Sequence, residues 1–174
     1  MERLLTLEDF LALPEEKPNR EFIHGRAVCK PMVNSDHIDI VFRLSVIFGG
    51  YVAEYGGKCG PEASVLIEMG NESRVLLPDL AYWASLRPRG KYPMHPPTLA
   101  VEVRSPSQSM AELRRKCRDY RAHGVDVAWL VDPDSQTVEV FEDGADGLAA
   151  EGVLTSAYLP GFRLELEDLF SVLD

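Results

Sequence analysis

Pro78-Asp79-Leu80-Ala81-Tyr82-Trp83 and Thr98-Leu99-Ala100-Val101-Glu102-Val103-Arg104-Ser105-Pro106-Ser107 are the two stretches whose reading decides the fold. The first ends a strand expected from Val75 to Trp83, and the second is a strand from Thr98 to Arg104. Between them lies an irregular loop from Arg87-Pro88-Arg89-Gly90 to Pro96-Pro97. Alternation along the second strand puts Leu99, Val101 and Val103 on one face and Ala100, Glu102 and Arg104 on the other. Asp79 follows Pro78, whose ring fixes the backbone and removes one amide donor. If the two strands pair, Asp79 and Glu102 converge. Two close carboxylates repel, and one is driven to take a proton unless a cation sits between them. That is the physical case for a hard divalent ion, Mg²⁺ or Mn²⁺.

The next element supplies a cation of its own. Ser109-Met110-Ala111-Glu112 has the form of a capping box and opens a helix to about His123, with Gly124 at the left-handed stop. Met110, Leu113, Cys117 and Tyr120 form its buried stripe, and Lys116 sits on the stripe's edge beside Tyr120. A lysine there can run its stem along the core and deliver its ammonium into a cleft. Acid, acid, lysine in this order suits metal-dependent cleavage of a phosphodiester, where cation and ammonium stabilise the developing charge. The plainer alternatives are a surface lysine at 116 and a turn or cap residue at 79. Arg104 stays protonated, so it can clamp a phosphate but cannot serve as a base.

Working outward, Thr6 to Leu13 reads as a short helix stopped by Pro14, and Glu21 to Cys29 as a hairpin turning at His24-Gly25. From Asp36 to Tyr55 a long helix is expected, with Ile38, Val41, Phe42, Ser45, Phe48, Val52 and Tyr55 as its buried face and Gly56-Gly57 as its end. A strand from Ser64 to Glu68 and a turn at Gly70-Asn71 precede the first stretch quoted above. Val125 to Val131 reads as a central strand, Asp132-Pro133-Asp134-Ser135 as a turn and Gln136 to Phe141 as another strand. Two more short strands and a helical turn from Glu167 to Leu173 follow. The pattern predicts one domain over 1–174, of α/β (α+β) class, with a central mixed sheet flanked by helices.

The 174 residues carry a formal net charge of −10. Tight, nonspecific binding of a long duplex is not what that balance predicts. Arg87, Arg89, Lys91, Arg104, Arg114, Arg115, Lys116, Arg118 and Arg121 nevertheless cluster in the middle third and leave room for a local basic face. Cys29, Cys59 and Cys117 lie far apart with no C-x-x-C pair, and are expected to be reduced core thiols of a cytoplasmic protein. The opening residues are too acidic for a signal peptide, and no apolar stretch approaches the ~20 residues needed to cross a bilayer. No membrane role is expected.

Several of these residues also carry a resemblance. Pro78-Asp79, Glu102-Val103-x-Ser105-Pro106-Ser107, Lys116, Tyr120 and Gly124-Val125, before a Trp-containing strand ending Asp132-Pro133, resemble the Uma-two family. These are restriction-endonuclease-like bacterial proteins of the PD-(D/E)xK nuclease superfamily. Glu21-Phe22-Ile23-His24-Gly25, Ser35-x-His37 and Leu159-Pro160-Gly161-Phe162 resemble further motifs of the family, so the similarity spans nearly the whole chain. It implies a restriction-endonuclease-like fold with Asp79 and Glu102 as ligands of Mg²⁺ or Mn²⁺. Lys116 would be a migrated lysine, since the superfamily's usual position, two residues after the glutamate, holds Arg104 here.

Similar members suggest Glu21 as a further metal ligand, against the alternative of a strand-end charge facing water. His37, in the first turn of the long helix, suits hydrogen bonding or metal ligation, against a satisfied core histidine. Ser105 and Ser107 are expected to shape the turn and cap the helix, and His24, His95 and His123 suggest nothing catalytic. The implied function is metal-dependent hydrolysis of phosphodiesters in DNA, or in RNA. The rival is a module that keeps the fold and binds nucleic acid or protein without turnover. A homodimer is expected from the apolar edge strands near the C-terminus and the habit of restriction-type nucleases.

Overall fold

A computed structural model of the chain describes residues 4–70, 72–85 and 95–173. Asn71 and the loop carrying Arg87, Arg89 and Lys91 lie outside the described residues. Helix α1 (Leu7–Leu11) leads to the hairpin β1 (Arg20–Ile23) and β2 (Arg26–Cys29), then to helix α2 (Ser35–Tyr55). Strands β3 (Lys58–Gly60), β4 (Val65–Met69), β5 (Glu72–Leu76), β6 (Leu80–Trp83) and β7 (Leu99–Val103) follow. Helix α3 (Met110–Ala122) connects β7 to β8 (Val127–Asp132). The chain then runs through β9 (Thr137–Glu142), β10 (Ala145–Ala149), β11 (Val153–Leu154) and β12 (Leu164–Glu165) into α4 (Leu166–Phe170) and a 3₁₀ turn, Ser171–Leu173.

The larger sheet has the order β10-β9-β8-β7-β6-β3. Its β7–β8 pair is parallel, with α3 as the crossover, and its other pairs are antiparallel. Both faces are covered, and alternation sorts the side chains between them. Leu80, Tyr82, Leu99, Val101, Val103, Val127, Trp129 and Val131 pack under α2 and α4. Ala81, Trp83, Ala100, Ala128 and Leu130 pack under α3 and against β4 and β5. Every residue of β8 is buried, as expected of a central strand. A second sheet, β2-β1-β5-β4, stands beside α3, and Arg74 of β5 ties the two with a 2.7 Å bond to Asp119.

Three expectations need correction. The strand expected from Val75 to Trp83 is two strands in different sheets, β5 and β6, separated by Leu77-Pro78-Asp79. Pro78 offers no amide to a ladder, and the chain changes sheet there. The buried face of α2 is His37, Ile40, Leu44, Phe48 and Tyr51, so of the expected stripe only Phe48 belongs to it. Val41 and Val52 are partly covered, but Ile38 and Phe42 are 54% and 69% exposed. The helix is apolar almost all round, so its periodicity admits more than one frame. Contacts of Phe48 with Tyr82, Trp129 and Phe162 select this one. Finally, Cys117 is a core thiol, but Cys59 is half-buried and Cys29 exposed.

Helix ends follow local chemistry. At α1 the Thr6 hydroxyl accepts from the Asp9 amide and Asp9 accepts from the Thr6 amide, both at 3.0 Å, which closes a capping box. Ser109 stands at the start of α3 but makes no such bond. Gly124 ends α3 at φ +99°, as expected. No described helix is long and apolar enough to cross a membrane.

The exit from α2 gives a test. Gly56 and Gly57 both have positive φ, which strains any residue with a Cβ. A Cβ on Gly56 would meet nothing within 4 Å, whereas one on Gly57 would sit 2.4 Å from the Trp83 carbonyl oxygen. Gly56→Ala is therefore expected to cost about 2 kcal/mol of stability and Gly57→Ala roughly twice that. Urea denaturation of the two variants measures the difference, and equal losses would contradict the packing described.

Candidate active site

The site forms where β6 begins and β7 ends. Leu80 pairs with Val101, so Asp79 and Glu102 come to facing positions one residue further along the ladder. The Asp79 amide donates to the Val101 carbonyl at 2.9 Å, and its Oδ2 accepts from the Val103 amide at 2.7 Å. Its Oδ1 accepts from Lys30 Nζ at 2.6 Å, with His37 Nε2 3.5 Å away. Lys30 also donates to the Leu77 carbonyl at 3.0 Å.

Glu102 lies under α3. Its Oε1 accepts from the Tyr120 hydroxyl at 2.8 Å, and Lys116 Nζ stands 2.9 Å from Oε1 and 3.0 Å from Oε2. Lys116 donates to Glu21 Oε1 as well, at 2.7 Å. That same Glu21 oxygen accepts from the Leu77 amide at 2.7 Å. A continuous chain of bonds thus runs Glu102, Lys116, Glu21, Leu77, Lys30, Asp79. All five charged side chains in it are at most 15% exposed.

Burial and charge set the protonation states. Desolvation pushes Glu102 up to about 7, with the charges of Asp79 and Glu21 adding to it and Lys116 pulling the other way. Burial would raise Asp79 too, but His37 and Lys30 outweigh it and hold its carboxyl well below the usual range. For Lys116 burial opposes the charge, yet Glu102 and Glu21 more than offset this and hold the ammonium firmly protonated. Burial, then Glu102, push the Tyr120 hydroxyl well above its ordinary value, so it acts as a donor.

The structure brings Asp79, Glu102 and Lys116 together. Glu21 joins them as a buried acceptor and does not face water. His37 borders the cluster, with Nδ1 3.3 Å from the buried Ser105 hydroxyl. Arg104 is not brought in. Its guanidinium binds Asp132 at 3.0 Å, Asp134 at 2.7 Å and the Gln108 carbonyl at 3.3 Å, and a phosphate clamp would have to give these up. Of the residues that left room for a local basic face, Arg114 pairs with Glu139, Arg118 with Asp146 and Arg121 with Asp143. The turn at Asp132 forms as expected, its carboxylate accepting from the Ser135 hydroxyl at 2.7 Å.

Sequence reasoning missed Lys30. The signal was there: Val28 is the register partner of Glu21, and two residues on, Lys30 lies on the same face of the hairpin. It also missed Tyr120 as a partner of Glu102. A cleft of about 570 Å³, lined by Phe10, Leu13, Pro14, Arg20, Glu62 and Ser64 among others, contains none of Asp79, Glu102 and Lys116.

The donor set suits a hard divalent ion. With Glu102 ionised, three carboxylates against two ammoniums leave one excess negative charge. Mg²⁺ characteristically takes one or two carboxylates and completes its shell with water and substrate phosphate. Among the described residues no group of three or more His, Cys, Asp or Glu side chains is arranged to hold a metal.

A mixed sheet covered by helices on both faces places the fold in the restriction-endonuclease-like class. The chain belongs to the Uma2 family, described as "Putative restriction endonuclease", which it matches over residues 7–172. It is also similar to a solved structure from Anabaena variabilis ATCC 29413, described as "a putative nuclease belonging to DUF820". The two share 27% identity over 97% of this chain and 99% of that one, with a TM-score of 0.84. No curated protein matches the chain.

Glu102 makes stability depend on pH in a defined sense. Its folded value, about 7, lies above the ordinary 4.5, so the folded state binds the proton more tightly and stability falls as pH rises between these values. The loss is on the order of 3 kcal/mol and complete by about pH 8. Asp79, held low, titrates in the acid range and does not intrude. Glu102→Gln removes the slope, so its stability relative to the natural chain is expected to improve steadily from pH 5 to pH 8. Urea midpoints measured across that range without metal check this, and a constant difference would contradict it.

Proposed function

We propose that this chain is a divalent-metal-dependent nuclease that hydrolyses phosphodiester bonds, in DNA first and RNA as the alternative. The observation that carries the proposal is the placement of the Lys116 ammonium within 3.0 Å of Glu102, with Asp79 facing that carboxylate across the ladder. In this reading Asp79 and Glu102 hold Mg²⁺ or Mn²⁺. When bound, the ion supplies Lewis-acid charge neutralisation at the phosphate and a more acidic water.

The chain's own groups do the rest. Lys116 is held protonated, so it stabilises charge gathering on the phosphate oxygens and cannot act as the base. Glu21 aims the Lys116 ammonium, and Tyr120 fixes the rotamer of Glu102. The Val103 amide holds Asp79 by Oδ2 and leaves Oδ1 for a ligand, once Lys30 releases it. Glu21 and His37 are assigned positioning roles, since Glu21 Oε1 is already committed to Leu77 and Lys116. A cytoplasmic location belongs to the same proposal.

The second reading, a binding module without turnover, draws on Lys30, which occupies Asp79, and on the net charge of −10. A cleavage assay decides between them. Single-stranded, duplex and branched DNA and RNA are incubated with Mg²⁺, Mn²⁺ or EDTA. The natural chain is expected to cut at least one form in a metal-dependent way, and Asp79→Asn and Glu102→Gln to lose on the order of 10²-fold or more in rate. Retained nucleic-acid binding with no cutting by the natural chain would favour the module.

A further inference from the structure

The face of α2 turned away from the core is apolar. Ile38, Phe42 and Val46 recur at four-residue spacing and are 54%, 69% and 54% exposed. The patch continues into the segment before the helix. Asn34 caps α2, so Val33 and Ile38 stand at the two positions that pack together as a hydrophobic staple, and Met32, 89% exposed, precedes them. An apolar strip of this length on one helix marks a contact surface.

We infer that this strip is the interface of a homodimer in which α2 of one copy lies antiparallel to α2 of the other, about a two-fold axis at Phe42. Three observations select a second copy as the occupant. The first is spacing. Ile38 and Val46 lie four residues either side of Phe42, so the two-fold sets Ile38 against Val46 twice and Phe42 against itself, as a self-complementary interface requires.

The second is charge. Asp39 and Arg43 lie one turn apart on the same flank of the strip. The antiparallel arrangement brings Asp39 of each copy within about one helical turn of Arg43 of the other. Among the described residues neither makes an ion pair within the chain, and the Arg43 guanidinium donates to the Asp168 carbonyl instead, at 3.2 Å. Two unpaired opposite charges flanking an apolar strip suit a copy of themselves and give a nucleic acid little to hold.

The third is area. At ordinary side-chain sizes the five exposed apolar residues present roughly 600 Å² per copy, so burying all of them would remove at most about 1,200 Å², the lower end for specific complexes. The edge strand β10, where apolar edges near the C-terminus suggested pairing, exposes Leu148 as its one large apolar side chain. Its neighbour Asp146 is already bound to Arg118. His37, one residue before Ile38, reaches Asp79, so the α2 interface would lie beside the candidate site of each copy.

Analytical ultracentrifugation tests this with four proteins. The natural chain is expected to dimerise, and Phe42→Glu to weaken the dimer by about 100-fold or more in Kd. Leu148→Glu is expected to leave it intact. Asp39→Arg is expected to weaken it, and adding Arg43→Asp to the same chain to restore it, an outcome that damage to folding could not produce. A natural chain that stays monomeric, or a dimer that survives Phe42→Glu or is dissociated by Leu148→Glu, would overturn the inference. So would a double variant no better paired than Asp39→Arg alone.

Discussion

Three carboxylates and two ammoniums are sealed into the junction between two sheets and a helix, and each is bonded to at least one partner of opposite charge. Glu21 comes from the first hairpin, Lys30 from just past it, Asp79 from the break between sheets, Glu102 from the larger sheet and Lys116 from α3. Leu77 joins the two halves, giving its amide to Glu21 and its carbonyl to Lys30. Buried ion pairs contribute little net stability, because desolvation consumes most of the attraction, yet breaking one typically costs about 3–5 kcal/mol. The cluster therefore specifies geometry more than it adds strength. It fixes where the chain changes sheet, how far α3 sits above β7, and which way the hairpin leans.

The same constraint makes the site chemically asymmetric. Asp79 is ionised under all ordinary conditions, Lys116 stays charged, and Glu102 titrates near neutrality because burial outweighs the lysine beside it. A divalent ion drawn to the excess negative charge would favour the ionised form of Glu102 and compete with Lys30 for Asp79. The latter is the less usual feature. Internal ammoniums already offset most of the cluster's negative charge, and metal entry at Asp79 would be coupled to movement of Lys30. On that physical footing, membership of a restriction-endonuclease family and proposed phosphodiester hydrolysis are consistent with a chain of net charge −10. Arg104, Arg114, Arg118 and Arg121 pair with carboxylates of the same chain, so recognition would rest on the site itself more than on a broad basic surface.

Much of this was legible in the residues. The alternation around Glu102, the placement of Lys116 on the edge of its helix stripe, the hairpin at His24-Gly25 and the stop at Gly124 all follow from period and backbone rules, and the structure has them. What sequence could not supply was tertiary choice. The frame of α2 was ambiguous because nearly every side of it is apolar, and aromatic packing at Phe48 decided it. The division of Val75 to Trp83 between two sheets turns on Pro78, which fixes the backbone beside Asp79 and also withholds an amide where the chain leaves one sheet for the other. Arg104 seemed to point with Glu102 by alternation, but the strand ends at Val103 and the turn residues Asp132 and Asp134 claim its guanidinium. Lys30 was hidden by distance in sequence, 49 residues from the carboxylate it binds.

Calorimetric titration of Mn²⁺ at pH 6, repeated in two buffers of different ionisation enthalpy, tests the buried charge cluster as a metal-accepting site most directly. Binding should release close to one proton per ion, because Glu102 is largely protonated at that pH and must ionise to serve. The proton should vanish in Glu102→Gln, and binding itself should be lost in Asp79→Asn. No uptake of Mn²⁺ by the natural chain, or uptake indifferent to both substitutions, would contradict the site described.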